Sequence, residues 1–126
     1  MSEVTPPLTP REWRFYLDDM IEFSEKVLTY TDGFDQSRFE HTGLNYDATL
    51  RNLELVGESA THIPQHAREF ASHINWRLII ATRNRLIHGY LGIDNDTLWS
   101  IITTDIPSLL NDLRELKNAI DAGQLR

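Results

Sequence analysis

Cysteine is absent from this 126-residue chain, and so is any long apolar run. Without cysteine the fold has neither a disulfide framework nor a thiolate metal site, which is typical of a reducing compartment. A transmembrane helix needs about 20 predominantly apolar residues, and no segment approaches that length. The first ten residues are acidic and proline-rich, unlike a signal peptide. We therefore expect a soluble, cytoplasmic protein.

Positive charge is also scarce, since 12 Lys and Arg residues stand against 19 Asp and Glu residues, for a net charge of −7. This balance argues against nucleic-acid binding through a generally basic surface. The exception is the segment 66–90, which has four arginines and three histidines but only one acidic residue, Glu69. The one local excess of positive charge is thus confined to this segment.

No segment has the alternating pattern of a strand, whereas helical signals recur along the chain. Thr9-Pro10-Arg11-Glu12 is a capping box with Pro at the first helical position, so it predicts a helix that begins there. Asp32-Gly33 ends that helix in a turn. A second long helix follows Phe39 and closes at Ile63-Pro64. We expect Gly57 within it to permit close helix approach, because glycine inside a helix otherwise only weakens it.

The rest of the chain is helical too. A short helix at 65–71 leads into a helix from Trp76 to His88. The final segment has a coiled-coil-like seam, in which we expect Pro107 to introduce a kink or short break. The sequence therefore predicts an all-α, antiparallel bundle of four to five helices over 10–121, with a flexible segment at 1–9 and a tail at 122–126. The seam residues are Trp99, Ile102, Ile106, Leu109, Leu113, Leu116 and Ile120.

The helix from Trp76 to His88 contains an arginine where apolar residues are expected. Trp76, Ile80 and Ile87 lie on one helical stripe, which we expect to be buried, and Arg83 lies on that stripe as well. An unpaired charge away from water is costly, so Arg83 needs an anionic partner. His88 lies on a neighbouring stripe together with Arg77, Ala81 and Asn84.

Arg83 and His88 suit phosphodiester chemistry. Histidine takes or gives a proton near neutral pH, and arginine holds phosphate oxygens as charge develops on them. The two residues are about 140° apart on a straight helix, so they need not meet within one helix. In a two-fold dimer, which would also bury the surplus apolar surface of the helices, Arg83 of one subunit can approach His88 of the other. No metal is required.

Plainer interpretations stay open. Arg83 could be the ion-pair partner of Glu54 or Glu58, His88 a helix C-cap, and the chain a well-packed monomer. A non-catalytic helical module that binds a partner protein or a nucleotide is the alternative function.

The segment Arg83-Asn84-Arg85-Leu86-Ile87-His88-Gly89-Tyr90 resembles the Arg-x4-His-x-Tyr motif of HEPN-domain ribonucleases, specifically the HepT-like toxins. The run from Arg51 to Ala60 is similar to the family helix that ends in Gly-Glu-(Ala/Ser)-Ala. Asn75-Trp76 resembles the start of its motif helix, and 94–110 resembles its last helix. The resemblance covers roughly residues 10–120 in consistent order.

The resemblance implies a HEPN fold, a homodimer with a composite cleft, and metal-independent RNA cleavage that leaves a cyclic phosphate. Arg83 and His88 match the catalytic pair. Asn84 matches the usual residue after the arginine, so a supporting role is expected for it, and Arg85 adds a further charge inside the motif. Glu58 matches a recurrent acidic residue of the family, for which a structural salt bridge is an equally good interpretation.

The resemblance also implies a cognate antitoxin, a small MNT-type nucleotidyltransferase of a type VII-like HEPN/MNT toxin–antitoxin system. Such an antitoxin silences the toxin by transferring AMP to the motif tyrosine, which corresponds to Tyr90. An AMP group there would add negative charge and bulk that compete with RNA phosphate for Arg83. No cofactor is expected in this chain, because ATP is used by the antitoxin.

Overall fold

A computed structural model describes residues 8–88 and 93–126, and all regular structure in these ranges is helical. The four longest helices form a bundle, so the predicted all-α bundle is confirmed. Short helices and a π-helical stretch at Ile101–Asp105 join them. The helices are α1 (Pro10–Thr31), α2 (Gln36–Glu40), α3 (Leu44–Ala60), α4 (Gln65–Phe70), α5 (Trp76–His88), α6 (Asn95–Ser100) and α7 (Ile106–Asp121).

Helix α1 begins where the capping box predicts. The Thr9 hydroxyl accepts a hydrogen bond from the Glu12 backbone N–H at 3.2 Å, and the Glu12 carboxylate accepts one from the Thr9 backbone N–H at 3.0 Å. Pro10 occupies the first helical position, where its missing N–H costs nothing. The helix ends at Thr31, and Gly33 follows with a φ of 78°. The buried face of α1 packs on α3 and α7.

Gly57 brings α3 and α5 together. A Cβ atom built on Gly57 would lie 2.2 Å from Cβ of Arg83 and 3.1 Å from the carbonyl oxygen of Ile79. Only hydrogen fits in that space, so the expected close helix approach is confirmed. Helix α3 itself ends at Ala60 rather than at Ile63-Pro64, and a turn then carries Ile63 into the core.

The prediction that the Trp76–Ile80–Ile87 stripe is buried is confirmed for Trp76, met in part by Ile80, which packs against the core, and wrong for Ile87. Trp76 is buried, but Ile80 is only half-buried and Ile87 is 47% exposed. Helix α5 packs mainly on α3, and Ile79 and Arg83 lie against Gly57 of that helix. Ile87 lies about 80° round the helix from Ile79. A helix that packs on one main neighbour buries only a narrow stripe of its surface. Residue spacing alone did not determine which stripe of α5 this is.

The break expected at Pro107 is present as the π-helical stretch that directly precedes α7. Proline lacks an N–H and crowds the carbonyl group four residues earlier, and a widened turn relieves both problems. The seam is confirmed from Ile102 onward, whereas Trp99 is half-buried against Phe39 and Leu98 fills the core at that level. Helix α2, which carries the buried Phe39, has no counterpart in the sequence predictions.

Helix α6 begins at an aspartate cap. The Asp94 carboxylate accepts hydrogen bonds from the backbone N–H and the hydroxyl of Thr97 at 2.8 and 3.0 Å. These bonds lower the pKa of the Asp94 carboxyl below its ordinary value. The cap therefore stabilises the fold at neutral pH, and its contribution is lost as the pH falls through the lowered pKa.

None of the helices in 8–88 and 93–126 combines the length and apolarity that a membrane span requires.

Candidate functional site

Arg83 lies between α3 and α5 and has a carboxylate partner. Its Nη2 donates to Oε2 of Glu58 at 2.5 Å, and its Nη1 donates to Oδ1 of Asn84 at 2.9 Å. The ion pair with Glu58, one of the plainer interpretations, is thus present, whereas Glu54 binds Arg51 instead. The Arg83 side chain is 28% exposed and that of Glu58 is 47% exposed. The pair therefore lies at the surface of the subunit and is not sealed inside it.

The Arg83 guanidinium keeps donors for a further anion. Of its five N–H groups, one points to Glu58 and one to Asn84. Nε is buried and has no hydrogen-bond partner among the described residues. Glu58 and Asn84 thus fix the plane of a guanidinium that can still bind an incoming anion through its outer N–H groups.

A second polar contact extends from Glu58 toward α1. Oε1 of Glu58 lies 3.6 Å from Nε2 of His62, and the His62 ring stacks on Tyr16 with 4.1 Å between ring centroids and 16° between planes. The sequence predictions did not include His62 or Tyr16. The four-residue spacing from Glu58 to His62 was a usable signal for the first, but the approach of Tyr16 depends on how α1 packs on α3.

His88 is exposed at the last position of α5, and Arg85 is exposed one turn before it. Within one subunit the structure does not bring His88 to Arg83, because α5 is a regular helix on which they point about 140° apart. Asn84 supports Arg83 through its hydrogen bond, and no hydrogen bond in the described part of the chain joins it to His88. Tyr90 and Gly89 lie outside the described residues.

The best arrangement for a metal ion among the described residues is His73, Asp112 and Glu115. One potential ligand atom from each lies within 4.8 Å of the other two. None of the three belongs to the cluster around Arg83, and Glu115 already accepts a hydrogen bond from Asn111 at 3.4 Å.

The chain is similar to known proteins over most of its length. A family model described as "Ribonuclease HepT-like" matches residues 20–116. The chain is 32% identical over 107 residues to "Probable ribonuclease HepT" of Thermococcus cleftensis, which covers 85% of this chain and 97% of that protein. It is 30% identical over 106 residues to "Putative RNase MJ1380" of Methanocaldococcus jannaschii, covering 84% of this chain and 97% of that protein.

"Putative RNase TTE0752" of Caldanaerobacter subterraneus is also 30% identical, over 108 residues that cover 86% of this chain and 94% of that protein. No solved structure gives a significant match. The family model spans most of the chain and includes Glu58, Arg83 and His88. This chain belongs to the HepT-like ribonuclease family.

Proposed function

We propose that this chain is a metal-independent endoribonuclease in which Arg83 and His88 cleave RNA in a cleft between two subunits. The observation that carries the proposal is the Arg83 guanidinium, which Glu58 and Asn84 hold at the surface in a fixed orientation with donors to spare. Membership of a ribonuclease family supports RNA as the substrate class.

The reaction is an attack within the RNA strand. His88 accepts the proton of a ribose 2′-hydroxyl, and the 2′-oxygen attacks the adjacent phosphorus atom. The bond from phosphorus to the 5′-oxygen breaks, that oxygen takes a proton from water, and His88 then releases the proton it accepted to solvent. The products are a 2′,3′-cyclic phosphate and a 5′-hydroxyl end. Arg83 stabilises the negative charge that develops on the non-bridging oxygens, which supplies the electrostatic role that a metal would otherwise have.

An exposed apolar side chain next to His88 supports the two-subunit cleft. Ile87, the residue before His88 on α5, is 47% exposed. A two-fold partner that packs on this end of α5 would cover Ile87. Within one subunit Arg83 and His88 point in different directions on α5. In such a dimer His88 of one copy would face Arg83 of the other.

The test is cleavage of single-stranded RNA by the purified chain in the presence of a chelator. We expect cleavage at an undiminished rate, with fragments that end in cyclic phosphate. A chain that leaves RNA intact both with and without added divalent ions would contradict the proposal. It would favour the second candidate, a non-catalytic module, for which the existing neutralisation of Arg83 by Glu58 is the supporting observation.

We further propose that the chain is the toxin of a type VII-like toxin–antitoxin pair, silenced by AMP transfer to Tyr90. Expression of the chain alone should arrest growth, and co-expression with the cognate nucleotidyltransferase should restore it. The intact mass should then increase by adenylyl units, and Tyr90→Phe should remove that increase. An unchanged mass in cells rescued by the partner would contradict modification and leave the nuclease proposal standing.

A further inference from the structure

An open groove of about 570 Å³ runs between α4 and the first three turns of α5. Arg77 and Asn84 line its α5 wall, Glu69 and Ser72 lie on the α4 side, and Ile80 contributes an apolar surface. Asn84 belongs both to this groove and to the Arg83 cluster. The groove therefore begins at the candidate site and leads away along α5.

Two arginines, Arg68 and Arg77, line the groove, and they differ in whether other protein groups already bind the guanidinium. The Arg68 guanidinium donates to the carbonyl oxygens of Ala60 and Ile63 at 2.8 and 2.9 Å, so it caps the end of α3. Arg77 is exposed and takes part in none of the ion pairs among residues 8–88 and 93–126. In a chain with a net charge of −7, Arg77 is a cation in the groove that is available to a ligand.

Arg77 also shares a face with His88. Arg77, Ala81, Asn84 and His88 follow one another at intervals of four, three and four residues on α5, which places them within about 60° of each other round the helix. The rise along the helix separates Arg77 from His88 by about 16 Å. Because the side chain of Ala81 between them is small, this face has room for an extended ligand.

We infer that the groove is a subsite for the RNA strand, in which Arg77 binds a backbone phosphate several nucleotides from the bond that is cut. The inference rests on the proposed function, which brings an RNA strand to Arg83 and His88. Asn84 lies between the two positions, and Ile80 offers an apolar contact to a ribose or base. Arg77 is thus assigned to substrate binding and not to catalysis.

The experiment measures binding of a fluorescent 12-nucleotide single-stranded RNA by anisotropy over a series of salt concentrations. All proteins carry His88→Ala, so that the RNA stays intact. We expect Arg77→Ala to weaken binding by about tenfold at low salt, as for the loss of one charge-assisted hydrogen bond. The slope of log affinity against log salt concentration should fall by about 0.7, the value for one phosphate contact on a single strand. Arg77→Lys should keep most of that slope.

The matched control is Arg11→Ala, which removes the same charge from an exposed position on α1. Equal affinities and salt slopes for Arg77→Ala and Arg11→Ala would overturn the inference. So would a change in oligomeric mass for Arg77→Ala without a change in RNA affinity, because the groove would then be an interface between copies of the chain.

RNA cleavage by the native chain is measured separately. A chain that cleaves RNA but shows no Arg77 effect refutes the subsite alone, whereas one that binds RNA through Arg77 without cleaving it refutes the nuclease alone.

Discussion

Replacing His88 with alanine is expected to lower the rate of RNA cleavage by about 10²–10⁴-fold, the usual contribution of a general acid–base residue. Arg83→Ala should cost about 10²–10³-fold, as for the loss of one group that stabilises charge in the transition state. The rates are measured in single turnover at saturating enzyme, so that a change in RNA affinity does not mask the chemical step. Both variants should lose cleavage activity while they remain folded.

Two variants provide matched controls for this prediction. His41 is an exposed histidine at the end of α2, and Arg11 is an exposed arginine on α1. His41→Ala and Arg11→Ala should leave the cleavage rate within about twofold of the native rate, because surface changes of this kind alter stability by about 0.5 kcal/mol or less. Cleavage that survives both His88→Ala and Arg83→Ala would assign the activity to other residues.

Gly57→Ala is expected to destabilise the protein and impair cleavage together. The new Cβ would meet Cβ of Arg83 at 2.2 Å and Cγ of Arg83 at 2.9 Å. These atoms lie close to the α5 backbone and cannot swing away, so α5 must move from α3. Overpacking of this kind costs about 1–3 kcal/mol, of which the better helix propensity of alanine returns up to about 1 kcal/mol. The same shift moves the Arg83 guanidinium away from Glu58.

Urea unfolding measures this effect, with the midpoint expected to fall while the m-value stays constant. A double variant supplies the control. Arg83→Gly removes the two closest of the clashing atoms, so Gly57→Ala combined with Arg83→Gly should be more stable than the summed costs of the two single variants imply. A Gly57→Ala protein as stable as the native chain would show that α3 and α5 do not pack as closely as described.

Local sequence signals predicted most of the fold because each has a local physical cause. The capping box at Thr9 fixes the start of α1, and Pro107 forces the break before α7, whatever the rest of the chain does. Helix α2 was missed because its five residues are too few to show a helical period, and its remaining signal is the Asp35 cap.

The burial of α5 and the partner of Arg83 depend on tertiary packing and were harder to predict. Spacing placed Arg83 on a stripe with Trp76, Ile80 and Ile87, but it did not determine which side of α5 faces α3. It left Glu54 and Glu58 as equal candidates, and the structure selects Glu58. The face of a helix that packs is decided by its neighbours, which the sequence of that helix does not contain.

The geometry of α5 requires that the proposed mechanism use residues from two subunits. Arg83 faces α3 and His88 faces outward, so two copies must supply one residue each to a shared cleft. Dimers of the Arg83→Ala chain and dimers of the His88→Ala chain should both be inactive. A mixed dimer, however, contains one cleft with both residues intact.

The decisive measurement is therefore RNA cleavage after the two inactive variants are unfolded, mixed in equal amounts and refolded together. Random pairing places half of the subunits in mixed dimers with one intact cleft of two, so the mixture should recover about one quarter of the native rate. If mixed dimers form and no cleavage returns, Arg83 and His88 do not act across two subunits, and the proposed mechanism is contradicted.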